Sequence, residues 1–160
     1  MDVKKIHKES FCVIGKLGST ADGEGFVARL WAEANAHFQE VAPLAKLDEG
    51  VVPIAFWGAM SDMQMRFEPW EDNFSKGLYL AGVEAKDDAV APEGWTKWTI
   101  PGYEYLHVKV EGGTTFLEML AHLEKHGLQL VGAVQDHIVP KESGQAYMCF
   151  PVRRLFGGAK

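Results

Sequence analysis

Leu130-Val-Gly-Ala-Val-Gln-Asp-His-Ile-Val-Pro140, a polar turn, and then Gly144-Gln-Ala-Tyr-Met-Cys-Phe-Pro-Val152 is the stretch on which the fold turns. Two apolar runs rich in valine and aromatics, parted by turn residues, predict a β-hairpin. The first arm is interrupted where a core strand should be apolar, by Gln135, Asp136 and His137. Alternate residues of a strand point to opposite faces, so Asp136 faces one way and Gln135 and His137 the other. A carboxylate on such a strand must be hydrogen-bonded, paired or offered to a ligand, because a bare buried charge is costly. Three readings of Asp136 stay open: a ligand group, a bond to backbone at a bulge, or an ion pair with Arg153 or Lys109.

Before the hairpin the chain reads as a strand over Tyr103 to Val110, a Gly-Gly turn, and a helix carrying Phe116, Leu117, Leu120 and Leu123. Thr115 and Glu118 form a candidate capping box, and Gly127 a stop. The first part of the chain repeats this order. Ser10 to Leu17 is a strand, and Phe26, Leu30, Ala34, Phe38 and Val41 mark an amphipathic helix that Pro43 ends. Val51 to Gly58 and Gly77 to Ala85 are two further strands, with the methionine-rich Met60 to Lys76 as a long connection between them. Lys86 to Gly102, with Trp95 and Trp98, reads as a linker packed down by its indoles. The expected fold is therefore α+β: duplicated β-α-β-β units, about 8–86 and 101–153, related by a pseudo-twofold. They share one antiparallel sheet with helices on one side and a central ligand groove. One domain over 1–157 and a frayed tail at 158–160 complete the expectation.

Bulk properties narrow the function. The 160 residues carry a net charge of −6, which argues against a nucleic-acid face. No apolar run approaches the length of a membrane helix, and the first residues lack the apolar core of a signal peptide. Cys12 and Cys149 sit in apolar runs and read as buried reduced thiols, which suits the cytoplasm. Nine Phe, five Trp and four Tyr supply many rings for stacking and cation–π contact. Most of them are expected in the core, yet Trp31, Phe56, Trp57, Met60, Trp70, Tyr79, Tyr105 and Tyr147 are the pool from which an aromatic pocket around Asp136 would be drawn. Glu84 reads as a strand-end salt bridge and Glu104 as solvent-facing. His122 and His126 have helical i, i+4 spacing but no third ligand, so neither a metal nor a cofactor is expected.

The runs Ser10–Gly25 with Leu30-Trp31, Tyr79-Leu-Ala-Gly-Val-Glu84, Ile100-Pro-Gly-Tyr-Glu-Tyr105, Val134-Gln-Asp-His137 and Phe150-Pro-Val152, in that order, resemble the GyrI-like effector-binding family. That family comprises ligand-sensing domains of AraC-type and MerR-type regulators and stand-alone versions. The resemblance spans nearly the whole chain through several weak motifs. It implies a pocket at the pseudo-twofold axis, lined by aromatics around one glutamate and suited to bulky, often cationic, amphipathic molecules. Asp136 falls at the family glutamate, Trp31 at the helix tryptophan and Tyr105 at the tyrosine after Ile-Pro. Aspartate is one methylene shorter, which sets its oxygens back by roughly 1–1.5 Å. With nine residues before the first strand, the resemblance suggests a stand-alone member or a piece of something longer.

Two functions follow as expectations. The first is a non-enzymatic binding protein that senses or sequesters a small molecule, with multidrug-type breadth and no direct contact to nucleic acid or membrane. The second is a hydrolase of reactive electrophiles, as in some stand-alone members, with Asp136 as base and Tyr105 or Tyr147 polarising the leaving group. A homodimer or a protein partner, such as the DNA gyrase met by one family branch, is a further expectation.

Overall fold

A computed structural model describes residues 1–156, so the predicted tail at 158–160 lies outside the described residues. Among the described residues, ten strands and two helices of eleven residues each follow in the order β1 (Val3–Lys8), β2 (Phe11–Ser19), α1 (Phe26–Ala36), β3 (Leu47–Asp48), β4 (Val52–Pro53), β5 (Phe56–Ser61), β6 (Leu78–Ala85), β7 (Thr96–Ile100), β8 (Tyr103–Lys109), α2 (Thr115–Lys125), β9 (Gln135–Val139) and β10 (Gln145–Arg154). Eight strands form one antiparallel sheet in the order β1-β8-β10-β9-β5-β6-β2-β7. The fold is α+β, as expected. The order β8-α2-β9-β10 is strand, helix, strand, strand, and the first part runs β2-α1-β5-β6 with the short β3-β4 pair inserted between α1 and β5. The two successions meet where β5 runs beside β9, with Trp57 opposite His137 and Gly58 opposite Asp136.

Two short links dictate the shape of this sheet. Lys8 ends β1 at one edge, and Phe11 begins β2, six places across the sheet. Ile100 ends β7 and Tyr103 begins β8, again six places apart. Six interstrand spacings cover about 29 Å in a flat sheet. Three Cα steps reach at most about 11 Å. The sheet must therefore roll until its ends nearly meet. A single apolar cluster inside the roll draws Phe11 from β2, Trp57 from β5, Ile100 from β7, Tyr105 from β8 and Cys149 from β10. Both helices pack on the outer face, α1 over Tyr79 and Ala81 through Phe26, and α2 over Leu106 and Phe150 through Met119 and Leu123.

The elements differ from the sequence reading in instructive places. β1 and β7 were hidden, in the nine opening residues and in the presumed linker; both are short flanking strands whose polar outer positions blur the period-2 signal. Trp98 does pack down, but as a residue of β7. α1 ends at Ala36, seven residues before Pro43, and the chain continues in two short 3-10 turns. The strand expected over Val51 to Gly58 divides: Val52–Pro53 closes a small hairpin with Leu47–Asp48, and the long strand starts only at Phe56. The α2 cap is Thr114, whose hydroxyl meets Glu118 at 3.1 Å. Thr115 is the first helical residue and bonds backbone in the preceding turn instead. Gly127, at φ 66°, turns the chain out of α2, and Leu128 N–H donates to Leu123 C=O.

Candidate functional site

The cavity lies on the outer face, between the two helices, over the strands at the sheet centre. It encloses about 350 Å³ and is lined by Val27 of α1, Met60 of β5, Tyr79 of β6, Asp136 of β9, Met148 of β10, Phe116 of α2, Val134, and Pro69, Trp70 and Phe74 of the β5–β6 connection. Asp136 is the one carboxylate among these lining residues. Everything else presents rings, methylenes or thioethers, apart from one phenol.

That phenol holds the carboxylate. Tyr79 Oη donates to Asp136 Oδ2 at 2.7 Å, and Trp31 Nε1 donates to Tyr79 Oη at 3.0 Å. The relay runs from α1 through β6 to β9 and fixes one oxygen of Asp136. Glycine makes it possible. A Cβ built at Gly58 would stand 1.8 Å from the Tyr79 hydroxyl, so only a residue without a side chain lets the phenol cross β5 to its acceptor. Burial pushes the Asp136 carboxyl above its usual range, and the Tyr79 bond only partly opposes it. Burial, and then the Asp136 charge, push the Tyr79 phenol far above its own. Asp136 thus has one hydrogen-bond donor, on one oxygen, in an apolar recess.

The wall formed by the β5–β6 connection is built around Asp62. Its carboxylate accepts from the backbone N–H groups of Gln64, Arg66 and Glu68 at 2.8–3.2 Å. Ser61 Oγ accepts from Phe67 N–H at 3.0 Å, and Phe67 C=O accepts from Ala133 N–H at 2.8 Å, tying the loop to the approach of β9. These bonds hold Met65 and Phe67 at positive φ. Further on, Asp72 and Asn73 adopt left-handed φ/ψ, a conformation their short polar side chains tolerate. This turn delivers Phe74 to the cavity, edge-on to Phe116 with ring centres 5.2 Å apart. Trp70 is anchored by its indole N–H to Leu78 C=O at 3.0 Å and lies over Gly77, where any Cβ would meet the ring.

Of the nine residues drawn from the sequence, the structure places Met60, Trp70, Tyr79 and Asp136 on the cavity wall. Trp31 stands behind Tyr79 and acts on the wall through its hydrogen bond. Phe56 packs on Phe38, away from the cavity. Trp57 and Tyr105 project into the roll instead, because their strand positions have the opposite parity to Gly58 and Asp136. Tyr147 stacks on His107 at 4.2 Å on that inner face and bonds Glu142. Tyr105 and Tyr147, which the hydrolytic reading needs beside Asp136, are therefore on the wrong side of the sheet. The ion pairs of Asp136 with Arg153 or Lys109 do not form. Arg153 binds Glu104 at 2.9 Å, together with His7 at 2.8 Å, so Glu104 is buried and paired rather than solvent-facing. Glu84 is 2% exposed and pairs with Lys8 at 3.0 Å while accepting from Trp57 Nε1 at 2.9 Å. Gln135 is fully enclosed, bonded to Met60 N–H and Ala133 C=O.

Sequence reasoning passed over Val27, Pro69, Phe74, Phe116, Val134 and Met148. Two of them carried a signal. Val134 shares the parity of Asp136, and Met148 is its direct cross-strand partner. Phe74 carried none, since nothing in a run of polar residues announces a left-handed turn.

No family model matches the chain, and no curated protein matches it. Solved structures do. SAV2435 bound to tetraphenylphosphonium superposes with a TM-score of 0.64 at 13% identity, over 98% of this chain and 97% of that one. The EcmrR C-terminal domain gives 0.64 at 11% identity, over 96% and 98%. EcmrR in its cryo-EM complex with DNA gives 0.63 at 12% identity; the match covers 96% of this chain and spans 58% of that chain's length. At such identities the likeness is one of fold.

Proposed function

We propose that this chain is a small-molecule-binding protein whose cavity receives a bulky aromatic or cationic amphipathic compound, which it senses or sequesters. The observation that carries this reading is Asp136: a carboxylate with a single hydrogen-bond donor on one oxygen, alone among apolar lining residues. An ionised carboxylate in such a place is costly unless a cation joins it. A lipophilic cation would pair with Asp136 while its apolar groups fill the space between Trp70, Met60, Phe74, Phe116 and Met148. The thioethers of Met60 and Met148 can adapt to ligands of different outline, which supports multidrug-type breadth. The ligand found in SAV2435 belongs to this chemical class. Occurrence of the same fold as the C-terminal domain of EcmrR, which is also seen on DNA, supports placing such binding in transcription regulation.

The test uses tetraphenylphosphonium, with triphenylphosphine oxide as an uncharged relative, followed through tryptophan fluorescence. Asp136→Asn should weaken the cation more than tenfold, about 1.4 kcal/mol or more, and the neutral compound less than twofold. Equal losses for both compounds would refute the electrostatic role of Asp136. Failure of either compound to bind the wild-type protein would refute the cavity reading.

A further inference from the structure

Across the sheet from Asp136, inside the roll, three potential ligands converge that the cavity does not use. His107 of β8, Cys149 of β10 and His137 of β9 stand on adjacent strands, on one face. Cys149 is the direct cross-strand partner of His107, and His137 lies diagonal to it across the β9–β10 ladder. The donor atoms of all three lie within 4.8 Å of one another, and His107 Nε2 is 3.1 Å from His137 Nδ1. We propose that His107, His137 and Cys149 form a binding site for a borderline-soft divalent cation, zinc above all, with a fourth position open.

The geometry is close to what such an ion needs. Zn–N bonds of 2.0–2.1 Å and a Zn–S bond of 2.3 Å at tetrahedral angles place ligand nitrogens about 3.4 Å apart and nitrogen and sulfur about 3.6 Å apart. Closing the triad from separations of up to 4.8 Å asks for shifts of roughly 1.2 Å or less, within the reach of side-chain rotation. The two nitrogens that now share one proton, His107 Nε2 and His137 Nδ1, face each other. The rings are also held in place. His137 stacks on Trp57 with centres 4.3 Å apart, and His107 stacks on Tyr147 at 4.2 Å, so the two imidazoles are sandwiched as a pair. Such support of the ligands' orientation is what metal centres otherwise obtain from outer hydrogen bonds.

A second observation points to the same place. Tyr105, two residues from His107 on the same face of β8, is fully buried, and its hydroxyl has no hydrogen-bond partner among the described residues. Buried hydroxyls are rarely left so. Tyr105 and Cys149 belong to the same buried cluster inside the roll. Metal binding turns the Cys149 thiol, a weak acceptor, into a thiolate, and gives that hydroxyl an anion to face. Lys8, whose charge reaches His137 and Cys149, is already paired with Glu84 at 3.0 Å. Entry is available from a depression of about 450 Å³ that His107 and Tyr147 border together with Lys4, Lys109 and Glu142. On binding, the thiol proton leaves to solvent. The proton shared by the imidazoles moves to the distal nitrogen of the ring that carried it, so both rings stay neutral. The ligand set is thiolate plus imidazole, which suits zinc rather than magnesium or calcium.

The test is titration of the reduced, chelator-treated chain with cobalt(II) as a spectroscopic probe, followed by zinc. We expect one cobalt per chain, with a thiolate-to-cobalt charge-transfer band and four-coordinate d–d bands, displaced by one equivalent of zinc. Zinc should also raise Tm. Cys149→Ser should abolish the charge-transfer band, and His107→Gln or His137→Gln should weaken binding at least tenfold. The exposed pair on α2, His122 and His126, is the rival surface site, and the double variant His122→Ala/His126→Ala should bind as wild type does. Loss of binding in that double variant would overturn the proposal, as would undiminished binding in His107→Gln/His137→Gln. X-ray absorption of the zinc-loaded wild type needs no variant to fold. One sulfur and two imidazole nitrogens around zinc are expected; a shell without sulfur overturns the assignment.

Discussion

The two faces of β9 show the same strand solving opposite problems. On the outer face Asp136 meets an apolar recess and receives one hydrogen bond, from Tyr79. On the inner face Gln135 and His137 are matched closely: Gln135 uses both ends of its amide, and His137 lies between a stacked indole and a second imidazole. The polar groups of β9 on the inner face have partners within the chain, whereas the outer-face carboxylate has a single donor. Polarity in a strand is thus no guide to function until its satisfaction is known.

The largest expected effect tests whether the faces are independent. Trp57→Ala should cost about 3–5 kcal/mol of stability, since it removes a ring that is 1% exposed and takes the indole donor from Glu84 Oε1. Denaturant melts measure this, while the affinity of the remaining folded protein for tetraphenylphosphonium should change less than twofold. A tenfold change would show the faces to be coupled. Next, Gly58→Ala should cost about 1–3 kcal/mol, because the new methyl must push the Tyr79 hydroxyl from Asp136. Its signature is a blue-shifted tyrosine difference spectrum together with altered cation affinity. Tyr79→Phe removes the donor without crowding, at about 1 kcal/mol. It should raise the Asp136 pKa further, moving the pH at which cation affinity is half-maximal upward.

The smallest effects are those of pH, and their signs differ between the faces. The Asp136 pKa is raised in the folded state by burial. Its contribution to stability is therefore full below the unfolded aspartate pKa and lost as pH rises through the folded value. Asp136→Asn should accordingly raise Tm at pH 7, while affinity of the wild type for a permanently charged cation grows with pH over the same range. Burial depresses the His137 pKa to about 4. Stability from His137 is present above the unfolded histidine pKa and fades as pH falls from about 6.5 toward 4. His137→Gln should flatten that limb of the Tm–pH curve.

Much of this was legible in the chain. A final hairpin, the opposed parity of Asp136 and its neighbours, and the α+β class follow from alternation and turn chemistry, although the first strand starts at Gln135 and the expected arm over Leu130 to Val134 is not strand. So does the salt-bridged role of Glu84. What escaped was set at a distance. β1 and β7 are strands only because β8 and β2 offer them edges. Trp57, Tyr105 and Tyr147 are as aromatic as Trp70, and only the sheet's register assigns them to the inner face. Pro69 reaches the cavity because Asp62 gathers the loop before it through backbone bonds, and Phe74 because Asp72 and Asn73 turn left-handed, neither of which their letters alone announce.

The two-residue links at Glu9-Ser10 and Pro101-Gly102 have a consequence for assembly. β1 leads into the first succession of elements but ladders onto β8 of the second, while β7 leads into the second but ladders onto β2 of the first. Each lobe thus lends an outermost ribbon to its neighbour, like clasped hands. A break in the segment between Lys86 and Gly94 would leave two pieces that complete each other reciprocally, a ready architecture for a split reporter whose reunion rebuilds the drug-sized hollow at their shared border.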